Sequence, residues 1–193
     1  PNDFEYEFLK ISLSDVNSKW VMYDTREVEG TAYDYAIVVN LKVIDVSPEH
    51  LKEKVWTEAK TIQDGWTYKL DSHGNVMKDS LGNDIKEPKY IRIECHLKET
   101  QQHKEAVLSG KVDFYNNISK NLITSENISA NSVFNNGYLM ANGDLRALTP
   151  DTQKRLGSAP MPFPSDFDMI LMANEFLQKA VKEIVRNKSY LIK

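Results

Sequence analysis

The stretch from Ser165 to Lys188 reads SDFDMILMANEFLQKAVKEIVRNK and predicts a long amphipathic helix near the C-terminus. Ser165 is a typical N-cap, and Asp168 three positions later completes an approximate capping box. Burying one Phe or Leu side chain contributes about 1.5–3 kcal/mol, so packing on a sheet is expected to fix this helix. The predicted buried stripe consists of Phe167, Ile170, Leu171, Ala173, Phe176, Leu177, Ala180, Val181, Ile184 and Val185.

Strand patterns precede this helix and supply the surface on which it can pack. Tyr33–Val46 contains the apolar, mostly β-branched run Ala36-Ile37-Val38-Val39, which is typical of a central strand. Val55–Thr61 alternates as a second strand, and Trp66–Leu70 predicts a short third one. Trp66 and Tyr68 are expected to face the core, because Trp is usually largely buried.

The clearest hairpin is predicted from Tyr90–Glu99 and Glu105–Asn116, with a loop at Gln101–His103. Apolar residues alternate in both segments, and burial requires a register that places both sets on one side of the sheet. Leu122–Thr124 and Ile128–Phe134 predict further strand. Because this last region is rich in Asn and Ser, edge strands and turns are expected there.

Two turn sequences of the same chemistry follow one another, Asp71-Ser72-His73-Gly74-Asn75 and Asp79-Ser80-Leu81-Gly82-Asn83. Asp and Ser bond their own backbone at turn starts, whereas Gly and Asn accept positive φ. Hairpin turns are favoured, and calcium binding through Asp71, Asp79 and Asp84 is the alternative. The loops lack the alternating acids and terminal Glu of an EF-hand, so no metal site and no cofactor is predicted.

The remaining segments complete the predicted fold. Thr149 caps a short helix that begins at Pro150 and ends at Gly157, and Ala159–Pro164 is an extended proline-rich connector. A helix is also expected over Ser14–Arg26. Together these patterns predict a single α+β domain over residues 1–193. It combines a largely antiparallel sheet of meander and hairpins, a short helix and the long C-terminal helix, with residues 1–30 as a helical lead-in or the remnant of a longer N-terminal region.

Composition excludes some functional classes and leaves others open. The net charge of −4 argues against nucleic acid, which requires a basic surface. The apolar runs are too short to span a membrane. Cys95 is the only cysteine, so it cannot form an intrachain disulfide, and its place on an apolar strand face indicates a small buried hydrophobe. The four histidines lack zinc-binding spacing, and His96 is expected to face solvent. No catalytic residue is predicted.

Asp144 and Arg146 are the candidate ligand-binding residues. They stand two positions apart in Gly143-Asp144-Leu145-Arg146-Ala147-Leu148, just before the short helix. An acid and a base in one loop can recognise a polar ligand. The favoured alternative is structural, in which the two side chains pair with the backbone and fix the path of the chain.

Several segments resemble a family of uncharacterised cell-envelope proteins of the Bacteroidota. The resemblance extends over roughly Tyr33 to Asn187. It is specific to a family but to no established activity, and a more distant similarity to α/β lipoprotein domains rests on element order alone. The segments that carry it are Asp64–Asp71, the two Gly-Asn turns, Asp84–Tyr90, Gly143–Leu148 and Pro162–Asp166.

The resemblance implies an exported protein of the periplasm or outer membrane whose signal has been removed, and which is either free or held by a lipid anchor upstream of Pro1. On that basis the expected function is non-enzymatic, namely protein binding or assembly, with another envelope protein as the partner. Binding is expected at an exposed sheet edge or through the N-terminal segment. The alternatives are a hydrolase or carbohydrate-binding domain whose site is assembled in space, and a subunit of a larger oligomeric envelope complex.

Overall fold

The computed structural model describes residues 11–13, 16–17, 21–25 and 27–192. It confirms the α+β class, because a mostly antiparallel sheet is followed by a short helix and a long one. Among the described residues, no helix is long and apolar enough to cross a membrane. The elements are β1 (Tyr35–Val46), β2 (His50–Tyr68), β3 (Lys86–Asn116), β4 (Asn121–Gly143), α1 (Pro150–Arg155) and α2 (Asp166–Lys188), with 3₁₀ turns at Leu145–Ala147 and Ser189–Ile192.

β3 organises the sheet, because β1, β2 and β4 all pair with it. β1 runs antiparallel to β3, and their register shifts between Leu41 and Val43. Lys42 is the extra residue at this β-bulge. Gly110 lies opposite Leu41, and a Cβ added there would lie 2.1 Å from the carbonyl oxygen of Asn40. Only glycine therefore allows the two backbones to approach as closely as they do beside the bulge.

The predicted hairpin of Tyr90–Glu99 and Glu105–Asn116 is wrong, because β3 continues without a break through Gln101–His103. The buried positions of β3 fall on odd numbers up to Leu97 and, apart from Asp113, on even numbers from Thr100 onwards. When the alternation of buried and exposed positions shifts by one residue among polar residues, the sequence pattern looks like two strands separated by a loop. The structure instead has one strand of 31 residues.

The polar residues that suggested a loop are buried side chains of β3. Gln102 is 7% exposed, and its amide nitrogen donates to the carbonyl oxygen of Met161 at 2.9 Å. Lys104 is 3% exposed, and its ammonium donates to the carbonyl oxygen of Pro164 at 2.8 Å. Buried polar groups need such partners. The proline-rich connector provides these partners, because the carbonyl oxygens of Met161 and Pro164 accept from the two side chains.

The contacts within the chain define two compact units. Unit 1 combines Pro1–His50, His103–Asn135 and Pro162–Lys193, and unit 2 combines Leu51–Gln102 and Asn136–Met161. Each unit contains a part of β3 and a part of β4. The prediction of a single domain over residues 1–193 stays a prediction.

α2 packs on the sheet in unit 1 and supplies half of its core. Its capping box is confirmed, because the Ser165 hydroxyl accepts the Asp168 N–H at 3.1 Å and the Asp168 carboxylate accepts the Ser165 N–H at 3.2 Å. The predicted stripe is wrong at Phe167 and Phe176, which are 45% and 50% exposed. The cluster of buried residues consists of Ala106, Leu108, Val112, Phe114, Ile128, Met169, Ala173, Leu177, Val181 and Val185.

Unit 2 has a separate core beneath α1 and the 3₁₀ turn that precedes it. Cys95 is fully buried there, as predicted. Trp66 and Tyr68 were expected to face the core, but they are 61% and 48% exposed. The buried cluster consists of Ile93, Cys95, Leu97, Leu139, Ala147 and Leu148.

The smaller helical predictions have mixed outcomes. The short helix is confirmed at Pro150–Arg155, where the Thr149 hydroxyl accepts the Thr152 N–H at 3.3 Å. The connector before α2 has no regular secondary structure, as expected. The helix expected over Ser14–Arg26 is wrong for residues 21–25, which are not helical. Its first and last residues lie outside the described part of the chain.

Candidate functional site

Asp144 and Arg146 lie in the turn after β4 and pair with each other. The Arg146 Nη2 donates to Asp144 Oδ2 at 2.6 Å, and its Nε donates to Oδ1 at 3.0 Å. These contacts lower the pKa of the Asp144 carboxyl and raise the pKa of the Arg146 guanidinium. Both carboxylate oxygens are therefore engaged, and a ligand at this turn would compete with the internal pair. Ligand binding by the two residues stays a prediction.

The backbone before this pair is held tightly against β3. Asp144 N donates to the carbonyl oxygen of Glu94 at 3.0 Å. Gly143 has a φ of +125°, and a Cβ there would lie 2.5 Å from the same carbonyl oxygen. The close approach explains the glycine at the start of the Gly143–Leu148 segment. It also fixes the position of the Asp144 backbone, from which the carboxylate extends.

The twin turns use their carboxylates internally. Asp71 Oδ1 accepts the N–H groups of the residues two and four positions later, at 2.8 and 2.9 Å, and Asp79 Oδ1 does the same at 2.8 and 2.9 Å. Asp84 Oδ1 lies 3.9 Å from the Lys78 ammonium. The backbone donors lower the pKa of both turn carboxyls. Within the described residues, no group of three or more His, Cys, Asp or Glu could hold a metal ion.

A ring of three backbone hydrogen bonds closes the segment that carries these turns. Lys69 N donates to Ile85 O at 2.9 Å, Met77 N to Lys69 O at 2.8 Å, and Ile85 N to Met77 O at 2.9 Å. The three residues are evenly spaced, with one turn between each successive pair. The repeated turn is visible in the sequence, but the ring is not, because it uses only backbone groups. It joins the end of β2 to the start of β3.

The histidines that could serve acid–base chemistry contact neutral side chains. His96 faces out, as predicted, and its Nδ1 lies 2.8 Å from the Thr57 hydroxyl. His103 Nδ1 lies 2.8 Å from the Asn135 amide oxygen. A hydrolytic triad instead pairs the imidazole with a carboxylate, which orients the ring and stabilises its charged form. These two contacts do not have that arrangement.

Glu58 is a polar anchor that the sequence reasoning missed. Its carboxylate accepts the Thr149 N–H at 2.6 Å and the Thr152 hydroxyl at 2.5 Å, at the first turn of α1. These donors hold the pKa of the Glu58 carboxyl below its ordinary value of 4.5. The contacts join residues more than 90 positions apart, so no local pattern indicates them.

Replacing Glu58 with glutamine is expected to destabilise unit 2 at neutral pH and to matter less in acid. The carboxyl has a lowered pKa in the folded state. Its contribution is therefore complete above the unfolded pKa and is lost as the pH falls through the folded one. The free energies of unfolding of the two proteins, measured between pH 7 and pH 3, should begin to converge below about pH 4.5 and approach each other as the pH falls through the lowered pKa. E175Q, at an exposed site of α2, controls for loss of one charge, and a constant E58Q difference across this range would contradict the prediction.

The outer edge of β4 in unit 1 has no strand partner among the described residues. We define the β4 edge as Asn121–Asn135, which in the described part of the chain pairs only with β3. Within it only Glu126 is charged, and that carboxylate lies 2.8 Å from the Lys188 ammonium. Natural edge strands are usually protected by lysine, proline or a covering element. The β4 edge contains no lysine, arginine or proline.

The β4 edge also carries exposed apolar side chains. Leu122, Ile123 and Val133 are 51%, 37% and 42% exposed. By contrast, β2 carries Lys52, Lys54 and other charged residues along its length. The Asn- and Ser-rich composition predicts an edge strand here. The structure adds that the strand is long and that its outer side has no partner strand among the described residues.

Comparison of the chain with protein-family models, curated proteins and solved structures finds no match. The resemblance to envelope proteins therefore stays a prediction. What the chain can do has to be inferred from the geometry of its own residues. The β4 edge combines exposed apolar side chains with a single charged residue.

Proposed function

We propose that this chain is a non-enzymatic cell-envelope protein that binds an extended segment of another protein along the β4 edge. The observation that carries the proposal is a long, almost uncharged strand whose outer side has no partner in the described residues. In strand addition, backbone hydrogen bonds provide affinity and alternate side chains provide specificity. The β4 edge offers both kinds of contact.

The chemistry of the edge defines the segment that it would accept. Exposed Leu122 and Val133 favour apolar side chains at matching positions, because their burial would contribute to binding. The absence of lysine and arginine removes the charge repulsion and desolvation cost that normally prevent pairing. The expected occupant is therefore a neutral, apolar-rich strand of an envelope protein.

A photo-crosslinking residue at Val133, placed in the full-length protein in its native cells, tests this function. We expect it to form an adduct with one partner protein. A lysine at Leu122 in the same protein should reduce that adduct strongly, because a desolvated ammonium at the edge opposes strand pairing. The measurement is mass spectrometry of the crosslinked species.

The matched control places the same crosslinker at Val55, which is 70% exposed on β2. Adducts of equal yield from both positions, or an edge adduct that the Leu122→Lys change leaves intact, would contradict edge binding. An adduct between two copies of this chain would instead favour the oligomeric-subunit alternative. The hydrolase and carbohydrate-binding alternatives stay predictions.

The envelope location is supported by the resemblance of the segments quoted above. Fractionation of the same cells tests it independently of the crosslinking. Recovery with the periplasmic or membrane fraction is expected. Recovery with the cytoplasmic marker enzymes would overturn the location and leave the edge-binding result standing.

A further inference from the structure

A second surface of unit 1 has the character of a small-ligand site. An open cleft of about 410 Å³ lies where β1, β3 and β4 run side by side. We call it the bulge cleft. Its lining combines the polar residues Lys42, Lys111, Ser109, Ser129 and Asn127 with the aliphatic residues Val43 and Ile128 and with Gly110.

The bulge in β1 explains why a cleft with this lining exists. Lys42 is the extra residue between Leu41 and Val43, and bulges re-aim side chains and are frequent beside functional sites. Opposite it, Gly110 brings the two backbones too close for any side chain to fill the space between them. The bulge and the close approach at Gly110 both interrupt the regular pairing of the sheet and would destabilise an ordinary one.

The two lysines of the bulge cleft make no ion pair with any described residue. Both lysines help to lower the pKa of Asp113, whose carboxylate is already bonded to other groups. Asn40 donates to it at 2.7 Å and the Ser125 hydroxyl at 2.5 Å. The ammonium groups therefore keep donors available for a ligand, in a cleft that Ser109, Ser129 and Asn127 also line.

We propose that the bulge cleft binds the phosphate group of a phosphomonoester. Such a group carries a charge of about −1.5 to −2 and three strong acceptor oxygens. Two lysines match the charge, because lysine binds phosphate as a point charge, and the hydroxyls of Ser109 and Ser129 can donate to the remaining oxygens. The volume falls within the range of small-molecule sites. This inference does not rest on the β4 edge proposal, although Asn127 and Ser129 belong to both surfaces.

Titration of the full-length protein with glycerol phosphate, followed by nuclear magnetic resonance and calorimetry, tests the site. We expect amide shifts confined to residues 42–43, 109–111 and 127–129. Lys42→Gln and Lys111→Gln should each weaken binding by about tenfold, since each removes a charge-assisted contact. Lys60→Gln, on an exposed part of β2, is the control and should leave the affinity unchanged.

Two further probes separate the sources of the phosphate. Binding of soluble glycerol phosphate indicates a free ligand. Binding only to vesicles that contain phosphatidic acid, and not to phosphatidylcholine vesicles, indicates a lipid headgroup. Both results support phosphate recognition. Absence of binding to either probe would overturn the proposal, as would equal binding of acetate or an affinity that Lys42→Gln and Lys111→Gln leave unchanged.

Discussion

The Gly110→Ala variant is expected to lose at least about 3 kcal/mol of stability, the upper end of the usual range for overpacking. The added Cβ would lie 2.1 Å from the carbonyl oxygen of Asn40 and 2.9 Å from the Cα of Leu41. Both obstacles are backbone atoms, so no side-chain rotation relieves the clash. β1 would have to separate from β3 beside the bulge. Urea denaturation followed by circular dichroism measures the loss.

Gly137→Ala is the matched control for this variant. Gly137 is also a strand glycine, but a Cβ there meets no atom within 4 Å. Its replacement should change stability by less than about 0.5–1 kcal/mol, because alanine also restricts the unfolded chain. Equal denaturation midpoints for the two variants would show that β1 and β3 are not held as closely as described.

The Phe114→Ala variant is the second large loss, at about 3–5 kcal/mol. Phe114 is fully buried in the cluster that β3 and α2 share in unit 1. Removing the ring forfeits its transfer energy and leaves a cavity that a close-packed core fills only in part. Loss of stability should be accompanied by faster hydrogen exchange in α2, because Leu177 and Val181 belong to the same cluster.

Phe176→Ala on α2 is the comparison for the lost ring. Its side chain is 50% exposed, so the same chemical deletion removes less buried surface and creates no enclosed cavity. We expect a loss below about 1 kcal/mol, in keeping with other surface changes. If the Phe176 variant proved as unstable as the Phe114 variant, the assignment of the buried face of α2 would be wrong.

The sequence predicts the elements whose signals are local. The capping box at Ser165 and Asp168 marks the start of α2 because it involves neighbouring backbone groups. Thr149 and Pro150 mark α1 for the same reason. The twin turns are predictable because each Asp bonds to N–H groups within its own turn. These features do not depend on the rest of the chain.

The predictions that are wrong concern features that depend on residues far apart in the sequence. Gln102 and Lys104 look like loop residues because they are polar, yet the carbonyl oxygens of Met161 and Pro164 allow them to be buried in a strand. The predicted buried stripe of α2 is too wide, because it contains half-exposed Phe176 and lacks fully buried Met169. Helical spacing defines a face but not how far the sheet extends beneath it.

The candidate sites divide in the same way. Asp144 and Arg146 could be selected because they are close in sequence, and the structure shows them paired. The bulge cleft could not, because its lysines lie on different strands and meet only through the β1–β3 register. The Glu58 anchor was missed for the same reason. A local sequence pattern indicates a site within one segment but not a site that strand pairing assembles from several.

The order of the two sets of core residues along the chain has a consequence for folding during synthesis. All six buried residues of the unit 2 core lie between Ile93 and Leu148, before the proline-rich connector. The unit 1 core also requires Met169 through Val185. The residues of the unit 2 core therefore leave the ribosome before half of the unit 1 core does. Until α2 emerges, the apolar face of β3 around Phe114 has no helix to cover it, and chaperone contact is most useful during that interval.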